Sequence, residues 1–135
     1  MRRYILAAMM FTCVAHAETT PQQQAEIFYR WYIQQVSGLE NPLENPKLSG
    51  YVEHGTYAIL MKAYKANEID VDYFTKVQDF DDKDWLQHIT AEKVVIDPVC
   101  TNVYMSFGLA DRKRVAACFV RDKGGWKIRS VTDLP

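Results

Sequence analysis

Cys100 and Cys118 lie symmetrically about Leu109, and residues on either side alternate in polarity toward the turn Gly108-Leu109-Ala110-Asp111. Two cysteines placed so restrict the chain strongly. They predict an antiparallel hairpin with strands at 98–107 and 112–121, the two sulfurs facing each other across it. The same register pairs Val99 with Phe119, Thr101 with Ala117 and Val103 with Val115 on an apolar face, and Asn102 with Ala116 and Tyr104 with Arg114 on a mixed one. A slip of one residue would mix the faces and part the sulfurs. Closing such a loop adds about 3 kcal/mol in the chain-entropy account. A redox role would call for a CxxC-type pair or an activated thiolate, and the sequence has neither.

The disulfide needs an oxidising compartment, and the N-terminus supplies the address. Arg2 and Arg3 precede an apolar run from Tyr4 to Val14, which ends in Ala15-His16-Ala17. That is the anatomy of a cleaved secretory signal peptide over residues 1–17, too short in its apolar part to span a bilayer. Cys13 lacks the small preceding residues of a lipid-attachment site, since Met10-Phe11-Thr12 stand there. The expected mature chain has a flexible lead-in at 18–24 and one domain at 25–135, in the periplasm, with no membrane attachment after cleavage. Loss of Arg2 and Arg3 leaves 14 basic against 17 acidic residues, a net of −3. Such a balance gives no footprint for nucleic acid.

Helices come first along this domain. Ile27, Phe28, Trp31, Tyr32 and Val36 recur at helical spacing, Thr19 or Thr20 can cap the start, and Gly38 can stop it, which predicts a helix at 21–36. The repeated Leu-Glu-Asn-Pro of residues 39–46 is a loop. A second helix is predicted at 48–67, with Leu48, Val52, Ile59 and Ala63 on its inner side, and a short third at 71–77 capped by Asp70. Strands follow at 93–97, in the hairpin, and at 126–131 after a Lys123-Gly124 turn that pairs Phe119 with Ile128. The expected class is α+β: three N-terminal helices on a curved antiparallel sheet of about four strands.

This order of elements, ending in Gly-Gly-Trp-Lys-Ile, resembles the nuclear-transport-factor-two-like cone fold. Asp70-x-Asp72-Tyr73-Phe74, Gln78-Asp79 and Trp85 are further similar to a bacterial family of secreted proteins of unknown function assigned to that fold, over residues 25–133. The resemblance implies a cone-shaped α+β domain. It implies no catalytic set, because that fold serves isomerases, carriers and interaction modules alike.

Chemistry must then be sought in the residues. No GxSxG, HExxH, phosphate-loop or dinucleotide motif is present, and the mature chain keeps two histidines, His54 and His88. An acid/base site inside the cone would have to assemble Asp97, Tyr104 and His54 from distant positions. The segment from Asp79 to Asp84 alternates carboxylates as a calcium loop does, but has Asp84 and Thr90 where such a loop needs glycine and glutamate, so a solvated turn fits better. No cofactor or metal is expected.

What stands out is a cluster of acid and aromatic side chains: Asp72, Asp79, Phe80, Asp81, Asp82, Asp84 and Trp85. Carboxylates that steer encounter around aromatic anchors suit a basic protein partner. The leading expectation is a non-catalytic periplasmic binding protein, most concretely an immunity-type inhibitor of a toxin or cell-wall-degrading effector. The alternative is small-molecule binding or acid/base catalysis in an open cone cavity.

Overall fold

The structure, a computed structural model, describes Cys13 and residues 18–135; the rest of the expected leader lies outside the described residues. Helix α1 (Pro21–Ser37) starts at a capping box, in which the Thr20 hydroxyl accepts from the Gln23 N–H and the Gln23 side chain accepts from the Thr20 N–H. Residues 21–24, expected to be a flexible lead-in, are its first turn. Two 3-10 turns, Pro42–Glu44 and Pro46–Gly50, fill the Asn-Pro linker, each begun by an asparagine side chain accepting from the backbone two residues on. Then come helix α2 (His54–Lys65), helix α3 (Asp82–Gln87), and strands β1 (Ile89–Ile96), β2 (Thr101–Phe107), β3 (Lys113–Asp122) and β4 (Gly125–Leu134). The strands form one antiparallel sheet in chain order.

The α+β class and the four-strand sheet hold, but the helical half differs from expectation. Among the described residues there are two long helices, and residues 71–77 form turns instead of a third helix. The Asp72 carboxylate takes the N–H groups of Phe74 and Thr75, and Lys76 adopts a left-handed φ of 61°, so helical bonding cannot propagate there. The third helix forms later, where Asp81 caps the N–H groups of Lys83 and Asp84. The continuous helix expected at 48–67 is broken at 51–53, because this stretch pairs with the outer edge of β4: Glu53 N–H donates to the Ile128 carbonyl and Ile128 N–H to the Tyr51 carbonyl. The break turns α2, so that Leu48 and Val52 are buried while Ile59, expected inside, is 74% exposed.

The Cys100–Cys118 disulfide forms, but in a different register from the expected one. Asn102 pairs with Cys118 and Val103 with Ala117, a shift of two that preserves which side chains share a face. Cys100, just outside β2, therefore reaches Cys118 diagonally, with their Cα atoms 5.1 Å apart. The shift comes from a longer turn, in which Gly108 at φ 80° donates its N–H to the His88 carbonyl. Phe119 pairs with Ile128 across the Lys123-Gly124 turn, as expected.

Helix α1 lies over the inner face of the sheet. Phe28, Tyr29, Tyr32 and Ile33 on α1 meet Val103, Met105, Phe107, Val115, Phe119 and Ile128 from the strands, all essentially inaccessible. Burial of side chains this large contributes about 2–3 kcal/mol each and is the main source of stability. Edge-to-face ring pairs, such as Phe28 with Phe74 at 5.0 Å and 62°, fill the space between α1 and the sheet.

Candidate partner-binding surface

The acidic segment is built from α1 outward. Tyr32 projects from α1 and donates its hydroxyl to Asp72 at 2.5 Å, while Tyr29, one turn earlier, donates to the Phe74 carbonyl at 2.8 Å. Asp72 also accepts from the Thr75 hydroxyl, so four donors converge on one carboxylate. Burial, and then the Asp72 charge, push both tyrosine hydroxyls well above their usual range, which keeps them protonated donors. Phe74 and Thr75 are fully buried beneath this network.

Beyond it the chain emerges at a corner. Asp79 and Asp81 are exposed, and Phe80 is half-buried with its ring stacked on Trp85 at 4.2 Å and 14°. Trp85 is 2% exposed and lies against Phe107 of β2 on its other side, at 5.1 Å. Asp82 accepts from the Ser37 hydroxyl at 2.5 Å, joining the end of α1 to the start of α3, and that hydrogen bond holds its carboxyl below the usual range.

Asp84 points the other way, into the β2–β3 turn. It accepts from the N–H groups of Leu109 and Ala110, and from His88 Nδ1–H at 3.1 Å. A Cβ on Gly108 would come within 2.7 Å of its carboxylate, so glycine is needed there for space as well as for its positive φ. Partial burial works to raise the Asp84 pKa, but the two backbone donors and His88 outweigh it and the carboxyl titrates below its ordinary value.

The seven residues singled out in sequence divide by direction. Asp79 and Asp81 face solvent, Phe80 stacks on the buried Trp85 and Asp82 is tied to Ser37, while Asp72 is taken up by Tyr32, Phe74 and Thr75 and Asp84 by the β2–β3 turn. Sequence reasoning missed Leu39, which follows α1 at 96% exposure, and the grouping of Glu40 and Glu44 along a shallow 320 Å³ groove beside it. The sole sequence sign was the run from Trp31 to Pro46, which holds no lysine or arginine.

The alternative site does not assemble. Asp97 is occupied by the N–H groups of Val99 and Cys100 at the mouth of a turn, Tyr104 lies on the outer sheet face under Lys93 Nζ at 4.6 Å, and His54 is exposed at the start of α2. The interior where they would converge is filled by aromatic rings. A 680 Å³ groove beside His54 is open and lined mainly by charged side chains, among them Glu53, Arg121, Asp122, Lys123 and Arg129. Among the described residues no group of three His, Cys, Asp or Glu is placed to hold a metal ion, and no helix is long and apolar enough to cross a membrane.

No family model and no curated protein matches the chain. Solved structures do. The native type VI effector-immunity complex Tae3-Tai3 from Ralstonia pickettii contains a chain 35% identical to this one, with a TM-score of 0.80, covering 86% of this chain and 96% of that one. The selenomethionine form of the same complex matches with a TM-score of 0.78 at 35% identity, covering 86% of this chain and 98% of that one. At that identity over nearly the whole of the neighbour, with the same fold, the chain belongs to the family of its counterpart in the Tae3-Tai3 effector-immunity complex.

Proposed function

We propose that this protein is the immunity partner of an effector-immunity pair: a non-catalytic inhibitor, exported to the periplasm by the leader at 1–17, that binds and neutralises a toxin or cell-wall-degrading effector. The observation that carries the reading is the 35% identity to a chain of a known effector-immunity complex. Of the two roles in such a pair, a filled interior and the scattered positions of Asp97, Tyr104 and His54 favour the inhibitor. The arrangement is in keeping with a filled version of the nuclear-transport-factor-two-like cone.

The contact surface on this reading is the corner of Asp79, Phe80, Asp81 and Asp82. Its carboxylates steer a basic partner, and the ring of Phe80 offers apolar area that Trp85 keeps rigid. Asp72, Asp84 and Trp85 serve by fixing the corner's shape.

The test is functional. The protein encoded beside this chain's gene is directed to the periplasm of a host cell, alone and together with this chain. Lysis relieved by co-expression, with a stable complex recovered on purification, is the expected result. Lysis that persists beside a well-expressed, folded chain overturns the reading.

A further inference from the structure

Helix α1 ends in a Schellman arrangement whose left-handed residue is a leucine. Glu40 N–H donates to the Gln35 carbonyl at 2.9 Å and Leu39 N–H to the Val36 carbonyl at 3.0 Å, with Leu39 at φ 61°. That conformation crowds a branched side chain against the backbone and is the place where glycine costs least. A glycine is at hand one residue earlier, yet Gly38 sits at an ordinary φ of −80°. A chain that needed only to end its helix would place the glycine at 39.

Nor does folding gain from the leucine. At 96% exposure it is freer than any other large apolar side chain among the described residues, and it gives nothing to the core. Strain kept at an exposed apolar group, with two hydrogen bonds fixing its backbone, points to a contact made outside the chain.

The surroundings describe that contact. Two residues before Leu39, Ser37 is bonded to Asp82, which brings in the corner with Asp79 and Asp81. On the other flank, Glu40 and Glu44 line the shallow groove with Asn41, Asn45 and Pro46. Across the sixteen residues from Trp31 to Pro46 there is no basic side chain. Leu39 is thus followed by Glu40 and Glu44 and linked through Ser37 to the Asp79–Asp82 corner, and an apolar knob in such acidic surroundings is complementary to an apolar pocket rimmed by lysine and arginine.

Resting on the immunity reading, we propose that Leu39 is the apolar anchor of the effector-binding surface. It seats in a pocket of the effector, with Glu40 and Glu44 on one side and the Asp79–Asp82 corner on the other meeting a basic rim. Side chains that seat in a well-packed, desolvated pocket of the partner carry a disproportionate share of affinity.

The experiment compares wild type, Leu39→Gly, Leu39→Asn and Ile59→Ala for binding to the purified protein encoded beside this chain's gene, with melting temperatures measured in parallel. Glycine and asparagine both suit the left-handed backbone, so both variants melt at or above wild type while their dissociation constants rise roughly tenfold or more. Ile59, 74% exposed in ordinary helix on α2, is the control, and its replacement leaves binding unchanged. Binding of both Leu39 variants within about twofold of wild type overturns the anchor and leaves the immunity reading standing. An equal loss in Ile59→Ala also overturns the anchor. Failure of the folded wild type to bind overturns both.

Discussion

The turn at residues 72–77 and the corner at residues 79–82 belong to one acidic segment and use their carboxylates in opposite directions. Asp72 faces inward and is held by Tyr32, Phe74 and Thr75; Asp79 and Asp81 face solvent. An acidic run is therefore not a uniform surface. Once a carboxylate has collected several donors of its own chain it sets shape, and what remains for a partner is the charge left over.

Trp85→Ala breaks the comparison hardest, because it removes the ring between Phe80 and Phe107 and leaves a void under the whole corner. A loss of about 4 kcal/mol in urea unfolding is expected, with partner binding lost in proportion to the unfolded fraction. Asp72→Ala is expected to cost about 3 kcal/mol in the same measurement, since it strands the Tyr32 and Thr75 hydroxyls and two backbone donors in a mostly buried site. A loss under 1 kcal/mol would mean that the inward carboxylate is dispensable.

Asp84→Asn is a smaller effect with a pH signature. A carboxyl titrating below its unfolded value of about 3.9 adds stability that is complete above that value and disappears as pH falls through the folded pKa. The difference in melting temperature between wild type and Asp84→Asn should accordingly be largest near neutrality and close below about pH 3.9. A constant difference would remove the charge from the explanation. Asp79→Lys should change stability least, by no more than about 0.5 kcal/mol, because its one hydrogen bond is to the adjacent Phe80 N–H. On the proposed reading the same variant slows association with the effector and weakens its salt dependence, as measured by surface-binding kinetics.

Local signals were legible in the sequence and distant ones were not. The helix start at Thr19 or Thr20, the Lys123-Gly124 turn and the bonded cysteine pair each depend on neighbours in the chain or across one hairpin. The break in the second helix is invisible in sequence because it depends on Ile128, far along the chain, and the third helix fails at 71–77 because Asp72 spends its side chain on turn donors. The hairpin register differs by two because the loop between Phe107 and Lys113 is longer than the expected turn, and its contacts, Gly108 to His88 and Leu109 and Ala110 to Asp84, lie outside the hairpin. In the candidate surface, the acid-aromatic composition was readable, whereas its division into an inward and an outward layer required Tyr32 and the β2–β3 turn to be in place. Beyond the run without lysine or arginine around it, nothing in the sequence marks Leu39, because the adjacent Gly38 is the expected end of α1.

The contact between Asp84 and the β2–β3 turn has a consequence for anyone who engineers this protein. Gly108–Asp111 looks like the natural place to insert a peptide tag or graft a loop, being short, at a hairpin tip, and carrying Leu109 at 70% exposure. Yet the N–H groups of Leu109 and Ala110 are spoken for by a helix residue 25 and 26 positions away. An insertion there would detach α3 as well as lengthen a loop, so permissiveness at this tip is a property of two elements and must be designed for both.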